Sequence, residues 1–489
     1  MGRNPQIFVK TFLYAILIIF QLAVCEHTPK LLLISFDGFR WDYLSKTDTP
    51  NFDRITNNGV RAKWIKDSFT SLTFPNHYTI ATGLYEESHG IVANIFYDPV
   101  FNETFQIGNE TTVLDGKFWG GEPIWVTNQL QGGRTGVYYW PGSEAEIKGV
   151  RPNIYEKYIQ QEVSMALWRN RTDTVIEWLT DPENVVDLAL LYFKEPDHTG
   201  HIYGPESPEV VQMIQQCDNI TGYILDQIEE HGLSNLLNII ITSDHGMTGM
   251  NRSRFITLDD HIDTHQTKHL INYIVGTSVW PKSGENITEE LYKNLSSIDP
   301  EHVQVWMKKD IPPEYHYANN RRIAPILMSA NEGWGIKENW NDTHYLLGRH
   351  GFNNSKMDMH PFFVATGPVF KKGFISEPFE NVNIYSLMCH ILGINPAPNN
   401  GSLDAVKQLL ADEYIPDEEY KYTQLQFTIA KWAGICFGAI IVIVLLIYVI
   451  KELKMNSQMR KEVSGFSNSN LKYSERDENR EPLLSTDFP

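Results

Sequence analysis

A mostly parallel α/β sheet with helices on both faces is the fold class that this 489-residue sequence predicts, and three observations predict it. Four short apolar runs, "LLLISFDG", "VVDLALLYFKEPD", "LNIIITSDHG" and "PFFVATG", have the length and unbroken hydrophobicity of strands buried on both sides. Helix-like stretches lie between them, an alternation that covers a parallel sheet with helices. Polar, chemically able residues follow the runs at their carboxyl ends, where the ligand crevice of such a sheet opens.

The first run ends in Asp37, and "TPNFDRITNNG" after it reads as a helix. In "SLTFPNHYTIATG", residues 71–83, Thr73 stands at the mouth of a helix that starts near Pro75. A threonine hydroxyl there either caps the helix or, if something activates it, attacks a substrate. The stretch from Phe101 to Thr172, rich in Trp, Gly and Tyr, reads as an inserted lobe, and Thr257 to Trp340 as another. The second run leads into "EPDHTGH", with Asp197 and His201 four residues apart. A long helix follows, started by Ser207-Pro208 and stopped by Gly232. The third run delivers the adjacent pair Asp244-His245, and His350 stands in "GRHGF".

The ends of the chain read as targeting segments. Arg3 and Lys10 flank an apolar stretch closed by Ala23-Val24-Cys25, which predicts a signal peptide over residues 1–25. Trp432 to Ile450 is an uncharged apolar run of 19 residues, near the length that crosses a bilayer. Lys451, Lys454, Arg460 and Lys461 follow it and mark a cytoplasmic side. The expected organisation is therefore a large extracellular domain over 26–431, a membrane helix over 432–450 and a cytoplasmic tail over 451–489. The protein would then be a single-pass type I protein of the cell membrane. Sequons at Asn102, Asn109, Asn170, Asn219, Asn251, Asn286, Asn294, Asn341 and Asn400 all precede that run and are expected to carry glycans. A further sequon at Asn353 sits beside the expected site and is expected to stay bare.

A formal net charge of −19, concentrated before residue 432, argues against a polyanion-binding face and so against a nucleic-acid polymer as partner. Of four cysteines, Cys25 leaves with the signal and Cys436 lies in the second apolar run. Cys217 and Cys389 either pair or stay buried and free, so this is no disulfide scaffold.

Asp37, Asp197, His201, Asp244, His245 and His350 form the chemical core of the sequence. Any one of them has an ordinary explanation, because an aspartate after a buried strand usually caps a turn or helix. Together, on separate strand ends with glycines beside them, they make two sets of oxygen and nitrogen donors. Zinc accepts such mixed sets, whereas magnesium and calcium prefer oxygen alone. Two zinc ions fit the count better than one.

The blocks "SFDGFRWDYL", "TFPNHYTIATGLYEESHGIVAN", "YFKEPDHTGHIYGP", "ITSDHGM" and "HGFNNS" resemble, in order, those of the ectonucleotide pyrophosphatase/phosphodiesterase family in the alkaline phosphatase superfamily. The resemblance runs from about Lys30 to Gly401, without the Cys-rich modules or nuclease-like domain of long members, and is nearest the short transmembrane ones. It implies that Asp37, Thr73, Asp244 and His245 hold one zinc, and Asp197, His201 and His350 the other. Thr73 would be the nucleophile, its hydroxyl activated by zinc. Asn94 would donate to the substrate phosphate, and Phe74 and Tyr192 would sandwich a nucleobase. Free amides at the helix start would face a phosphate oxygen. Where family members often read His-Gly-x-Asp-Asn, this chain has Asn353.

The function expected is a zinc ectoenzyme that hydrolyses phosphodiester or pyrophosphate bonds of nucleotides or dinucleotides, such as NAD or diadenosine polyphosphates. It would work through a phosphothreonine intermediate and release a nucleoside 5'-monophosphate. A choline-phosphodiesterase acting on lysophospholipids is one rival, and a cell-surface interaction protein of little activity the other. The intact ligand set argues against the latter.

Overall fold

A computed structural model describes residues 30–160, 164–341, 346–412 and scattered positions between 434 and 460. In chain order its principal strands are β1 (Lys30–Phe36), β2 (Gly59–Ala62), β3 (Thr135–Tyr138), β4 (Ile154–Glu156), β5 (Leu188–Phe193) and β6 (Leu237–Thr242). They continue with β7 (Thr267–Asn272), β8 (Gly276–Pro281), β9 (Val303–Met307), β10 (Ile326–Ala330), β11 (Phe363–Thr366) and β12 (Phe374–Ser376). The principal helices are α1 (Pro50–Asn58), α2 (Thr73–Thr82), α3 (Met165–Thr180), α4 (Asp197–Tyr203), α5 (Pro208–Glu230) and α6 (Ile384–Leu392).

Eight strands form the main sheet in the order β12-β2-β11-β6-β1-β5-β3-β4. Only β11 runs against its neighbours, so the sheet is mostly parallel as predicted. The four apolar runs are β1, β5, β6 and β11, and the packing explains their unbroken hydrophobicity. Along β1, Leu31 and Leu33 enter one core, whereas Leu32, Ile34 and Phe36 enter another on the opposite face. Helices α1, α3 and α5 cover the second core through Phe52, Ile55, Trp168, Val175, Ile214 and Ile220. Helices α2 and α6 cover the first through Tyr78, Ile80, Ile384 and Leu387. The three predicted helices formed as α1, α2 and α5, and α5 is capped by Ser207, whose side chain accepts from the Val210 amide.

The inserted segment expected over Thr257–Trp340 is a separate four-stranded antiparallel sheet, β7-β8-β10-β9, with its own core around Leu258, Val279, Leu291 and Met328. The segment Phe101–Thr172 is not a lobe apart. β3 and β4 within it extend the main sheet beside β5. β3 is four residues long and begins Thr135-Gly136, too short and too polar to read as a buried strand. Gly136 is required there, since a Cβ would lie 2.6 Å from the Trp178 ring. Cys217 and Cys389 are both buried and free, so they do not pair.

The described residues fall into two units, divided after residue 414. In the second, the described positions are helical. The expectation of a single-pass membrane anchor is corrected: among the described residues no helix is long and apolar enough to cross a membrane. Crossing needs about 20 continuous apolar residues, and most of 432–450 lies outside the described residues. The signal peptide expected over 1–25 and most of the tail lie outside them as well.

Candidate active site

Parallel pairing brings the functional residues together. Phe36 of β1 lies beside Phe193 of β5, and Ser35 beside Thr242 of β6, so the carboxyl ends of three central strands finish level. Asp37 follows β1 directly, Asp244-His245 lies just beyond β6, and Asp197 opens α4 just beyond β5. His201 is one helical turn further on and so shares the face of Asp197. Gly38, at φ 66°, allows the approach, because a Cβ there would lie 2.8 Å from the Asp197 Cβ. His350 arrives from the loop after Gly348-Arg349, which pairs with Thr248-Gly249.

Two triads result, Asp37/Asp244/His245 and Asp197/His201/His350, and within each the donor atoms lie within 4.8 Å of one another. His245 Nε2 stands 2.9 Å from Asp244 Oδ2 and 3.5 Å from Asp37 Oδ1. Asp197 faces both histidines of its triad, with Oδ2 3.3 Å from His201 Nε2 and Oδ1 3.6 Å from His350 Nε2. The His245 and His350 rings stack at 3.5 Å between centroids, so the two triads adjoin.

All three histidines are oriented in one way. Nδ1 of His201 donates to Gly348 O at 2.8 Å, Nδ1 of His245 to Gly246 O at 2.9 Å and Nδ1 of His350 to Ser71 O at 2.8 Å. A carbonyl only accepts, so Nδ1 carries a proton and each ring, in its neutral form, offers its Nε2 lone pair to the site. Backbone carbonyls that fix the tautomer in this manner are the usual support of metal-ligating histidines.

The carboxylates report the same demand for a cation. Asp37 Oδ1, Asp197 Oδ1 and Asp244 Oδ2 are buried without a hydrogen-bond partner among the described residues, a costly arrangement unless a charge answers it. Burial, with Asp244 and Asp197 close by, pushes the Asp37 carboxyl far above the usual carboxylate range. Burial acts the same way on Asp197, yet the His201 charge overcomes it and holds that carboxyl below its ordinary value. Burial disfavours the His245 cation, but Asp244 beside it outweighs this and raises His245 to about 9. The residues therefore fit divalent cations. Ser35 and His77 form the supporting layer: the Ser35 hydroxyl lies 2.8 Å from His77 Nε2, and His77 Nδ1 lies 2.9 Å from Thr73 O and 3.3 Å from Asp244 Oδ2.

Thr73 is the first residue of α2, whose cap is Leu72 with no side-chain capping bond. Its hydroxyl does not serve the helix. Oγ1 instead lies 3.3 Å from His245 Nε2, at the first triad. Asn76, fully buried, holds the approach to it by donating to Thr70 O at 2.9 Å and Leu72 O at 3.1 Å while accepting from the Ser68 amide at 2.8 Å. The expectation of several free amides at the helix start is not met. Pro75 has no N–H, the Asn76 amide donates to Leu72 O, and the Phe74 amide donates to Asn94 Oδ1 at 3.0 Å. That last bond pins the Asn94 carboxamide beside Thr73.

Phe74 is half-buried against Phe105 and Trp119. Tyr192 is differently placed from the expectation. It is 8% exposed, and its hydroxyl donates to Asp37 Oδ2 at 2.5 Å. Its ring is packed and its hydroxyl committed, so it orients a carboxylate and offers no open face to a base. Tyr158, which the sequence reading passed over, is 46% exposed, with its ring 6.3 Å from that of Tyr192. It follows β4 by two residues, so it too stands at a strand's carboxyl end. The rule that found the aspartates would have found it, had β4 been recognised.

The model of the family described as "Type I phosphodiesterase / nucleotide pyrophosphatase" matches residues 31–353. Human ectonucleotide pyrophosphatase/phosphodiesterase family member 5 is 40% identical over 448 residues, covering 87% of this chain and 90% of that protein. Human bis(5'-adenosyl)-triphosphatase ENPP4 is 42% identical over 390 residues, covering 79% and 83%. Among solved structures, that of inactive murine family member 5 in complex with AMP superposes with a TM-score of 0.74 at 40% identity, covering 78% of this chain and 100% of that one. Human family member 5 gives the same score at 42% identity, with 78% and 100% covered. The site lies inside the matched residues, and its paired triads beside a threonine hydroxyl suit this chemistry. The chain belongs to the type I phosphodiesterase/nucleotide pyrophosphatase family and is a hydrolase.

Proposed function

We propose that this hydrolase cleaves phosphodiester or pyrophosphate bonds of nucleotides and dinucleotides by attack of Thr73, with the two triads holding two zinc ions. The observation that carries the reading is the Thr73 hydroxyl, free of capping and 3.3 Å from His245 Nε2. Asp37, Asp244 and His245, with Thr73, would hold one ion, and Asp197, His201 and His350 the other. Mixed nitrogen and oxygen donors favour zinc. When bound, such ions supply Lewis-acid charge that stabilises the attacking oxygen and the phosphate.

The chain's own residues do the rest. The Asn94 carboxamide, pinned through its oxygen, is left with its NH₂ to donate to a phosphate oxygen. Thr73 Oγ1 attacks phosphorus, its proton passes to solvent, and the bond to the leaving-group oxygen breaks. Water then hydrolyses the Thr73 phosphoester, which releases a nucleoside 5'-monophosphate and restores the hydroxyl. His77 braces this geometry by donating from Nδ1 to the Thr73 carbonyl while Ser35 fixes the other side of its ring.

Phe74 and Tyr158 are the aromatic faces available to a base. Base stacking is worth roughly 1 to 3 kcal/mol, so Tyr158→Ala is expected to raise KM for a nucleotide ester about ten- to a hundredfold. A base-free ester such as p-nitrophenyl phenylphosphonate should be spared. Equal losses on both substrates would show that Tyr158 does not contact the base.

The names of the relatives support nucleotides: one acts on bis(5'-adenosyl) triphosphate and another was solved with AMP. The purified protein assayed against diadenosine triphosphate, NAD, a nucleoside monophosphate and lysophosphatidylcholine tests the reading. Dinucleotides should be turned over fastest and the monoester poorly. Faster choline release would overturn it.

We also propose cleavage of the signal peptide and glycans on the sequons. All the expected asparagines except the half-buried Asn294 are exposed. Asn353 is half-buried, and its Nδ2, the atom a glycan would need, donates to the Tyr315 hydroxyl at 2.7 Å.

A further inference from the structure

Arg40 lies three residues beyond Asp37 and is only 4% exposed. Its guanidinium reaches every segment that carries a triad residue. On its own segment, Nε and Nη2 donate to the two oxygens of Asp42 at 2.6 and 2.9 Å. Nη2 also donates to Glu206 Oε1 at 2.6 Å, five residues beyond His201. Nη1 donates to Met247 O at 2.9 Å, two residues beyond His245. Nη1 further stands 3.3 Å from Asp358 Oδ2, eight residues beyond His350.

The crossing is tight as well as connected. The Gly246 amide donates to Met359 O at 2.7 Å, and the Thr248 hydroxyl to Asp358 Oδ2 at 2.8 Å, so the His245 and His350 segments meet around the guanidinium. A Cβ on Gly246 would lie 2.1 Å from Asp358 O and 3.0 Å from Arg40 Cγ. The tether to Glu206 is the weakest of the set, because that side chain is 67% exposed and screened by solvent. The links to Asp42, Met247 O and Asp358 are the more sheltered. Only a planar fork with donors on several edges serves acceptors in so many directions, and a lysine ammonium does not.

We infer that Arg40 is a positioning residue that holds the two triads in register, so that divalent cations meet both sets of donors already assembled. The inference rests on the proposed reading of the triads as a metal centre. Arg40 touches neither substrate nor ligand atoms. It fixes the four segments from which the ligands project.

The test compares full-length wild type with Arg40→Lys, reading zinc content by elemental analysis across a chelator series, the zinc-dependent rise in Tm, and kcat and KM at saturating zinc. Arg40→Lys should bind zinc about 10- to 100-fold more weakly, the usual cost of losing a support behind the ligands. Saturating zinc should restore kcat, with KM for a nucleotide ester unchanged. Asp358→Asn, which removes the charge that ties the His350 segment to Arg40 and leaves the Arg40 bonds to Asp42, Glu206 and Met247 O in place, should weaken zinc in the same direction and covers the case in which Arg40→Lys fails to fold. Unchanged zinc affinity in these variants, with only a lower Tm, would overturn the inference while leaving the metal centre standing. A wild type that holds no zinc would overturn the metal reading itself, and the inference with it.

Discussion

Thr73→Ala is expected to lower kcat by at least about a thousandfold, the scale of losing a nucleophile that acts with its neighbours as a unit. The variant should nevertheless fold and hold metal. The hydroxyl is turned to His245 Nε2 and not to the backbone of α2, so its removal should leave the helix in place. Both carboxylate and histidine triads remain complete without it. Thr73→Ser keeps an oxygen at the same position and should retain measurable turnover. The informative comparison is kcat against zinc content and Tm in all three proteins. Loss of kcat with metal and Tm preserved supports attack by Thr73. If the alanine variant kept more than a few per cent of kcat, a water molecule would have to replace Thr73 as the attacking group.

The second large effect is loss of metal. Chelation at neutral pH should abolish activity and added zinc should return it, because three buried carboxylate oxygens in the triads have no hydrogen-bond partner among the described residues. Asp197→Asn should empty the second site selectively, since Asp197 faces both His201 and His350. Elemental analysis should then find about one ion fewer than in wild type. One tightly bound ion in a fully active wild type would contradict the assignment of both triads. Acid should act in the same sense. In the metal-free protein Asp244 raises His245 to about 9, and a protonated imidazole offers no lone pair. Below that pH a proton competes with metal for Nε2, so affinity at the first triad should fall by about tenfold per pH unit for one such proton. The chelator concentration that half-inactivates the enzyme should fall as the pH is lowered.

Legibility in the sequence followed burial. β1, β5, β6 and β11 could be read because both their faces are covered, which forces continuous apolar runs, and the residues beyond β1, β5 and β6 inherited that clarity. β3 and β4 could not be read. They lie toward one edge of the sheet, are four and three residues long, and carry Gly136 where a tryptophan ring presses on the backbone. Missing β4 hid Tyr158 and left Tyr192 as the apparent aromatic wall. The role of Tyr192 was illegible for a different reason: whether a tyrosine shows a face or spends its hydroxyl depends on what stands opposite, here Asp37 just beyond the neighbouring strand. Arg40 and His77 were hidden in the same way, since each acts through contacts that cross more than 150 residues of chain.

Thr73, and not water, is expected to make the first attack on phosphorus. The most direct measurement is the stereochemical course at phosphorus, using a nucleoside 5'-phosphorothioate ester of known configuration hydrolysed in ¹⁸O-water. Each in-line displacement inverts the centre. Transfer to Thr73 followed by hydrolysis gives two inversions and a product of retained configuration, which is the predicted result. Net inversion would mean a single displacement by water, with no phosphoester formed on Thr73.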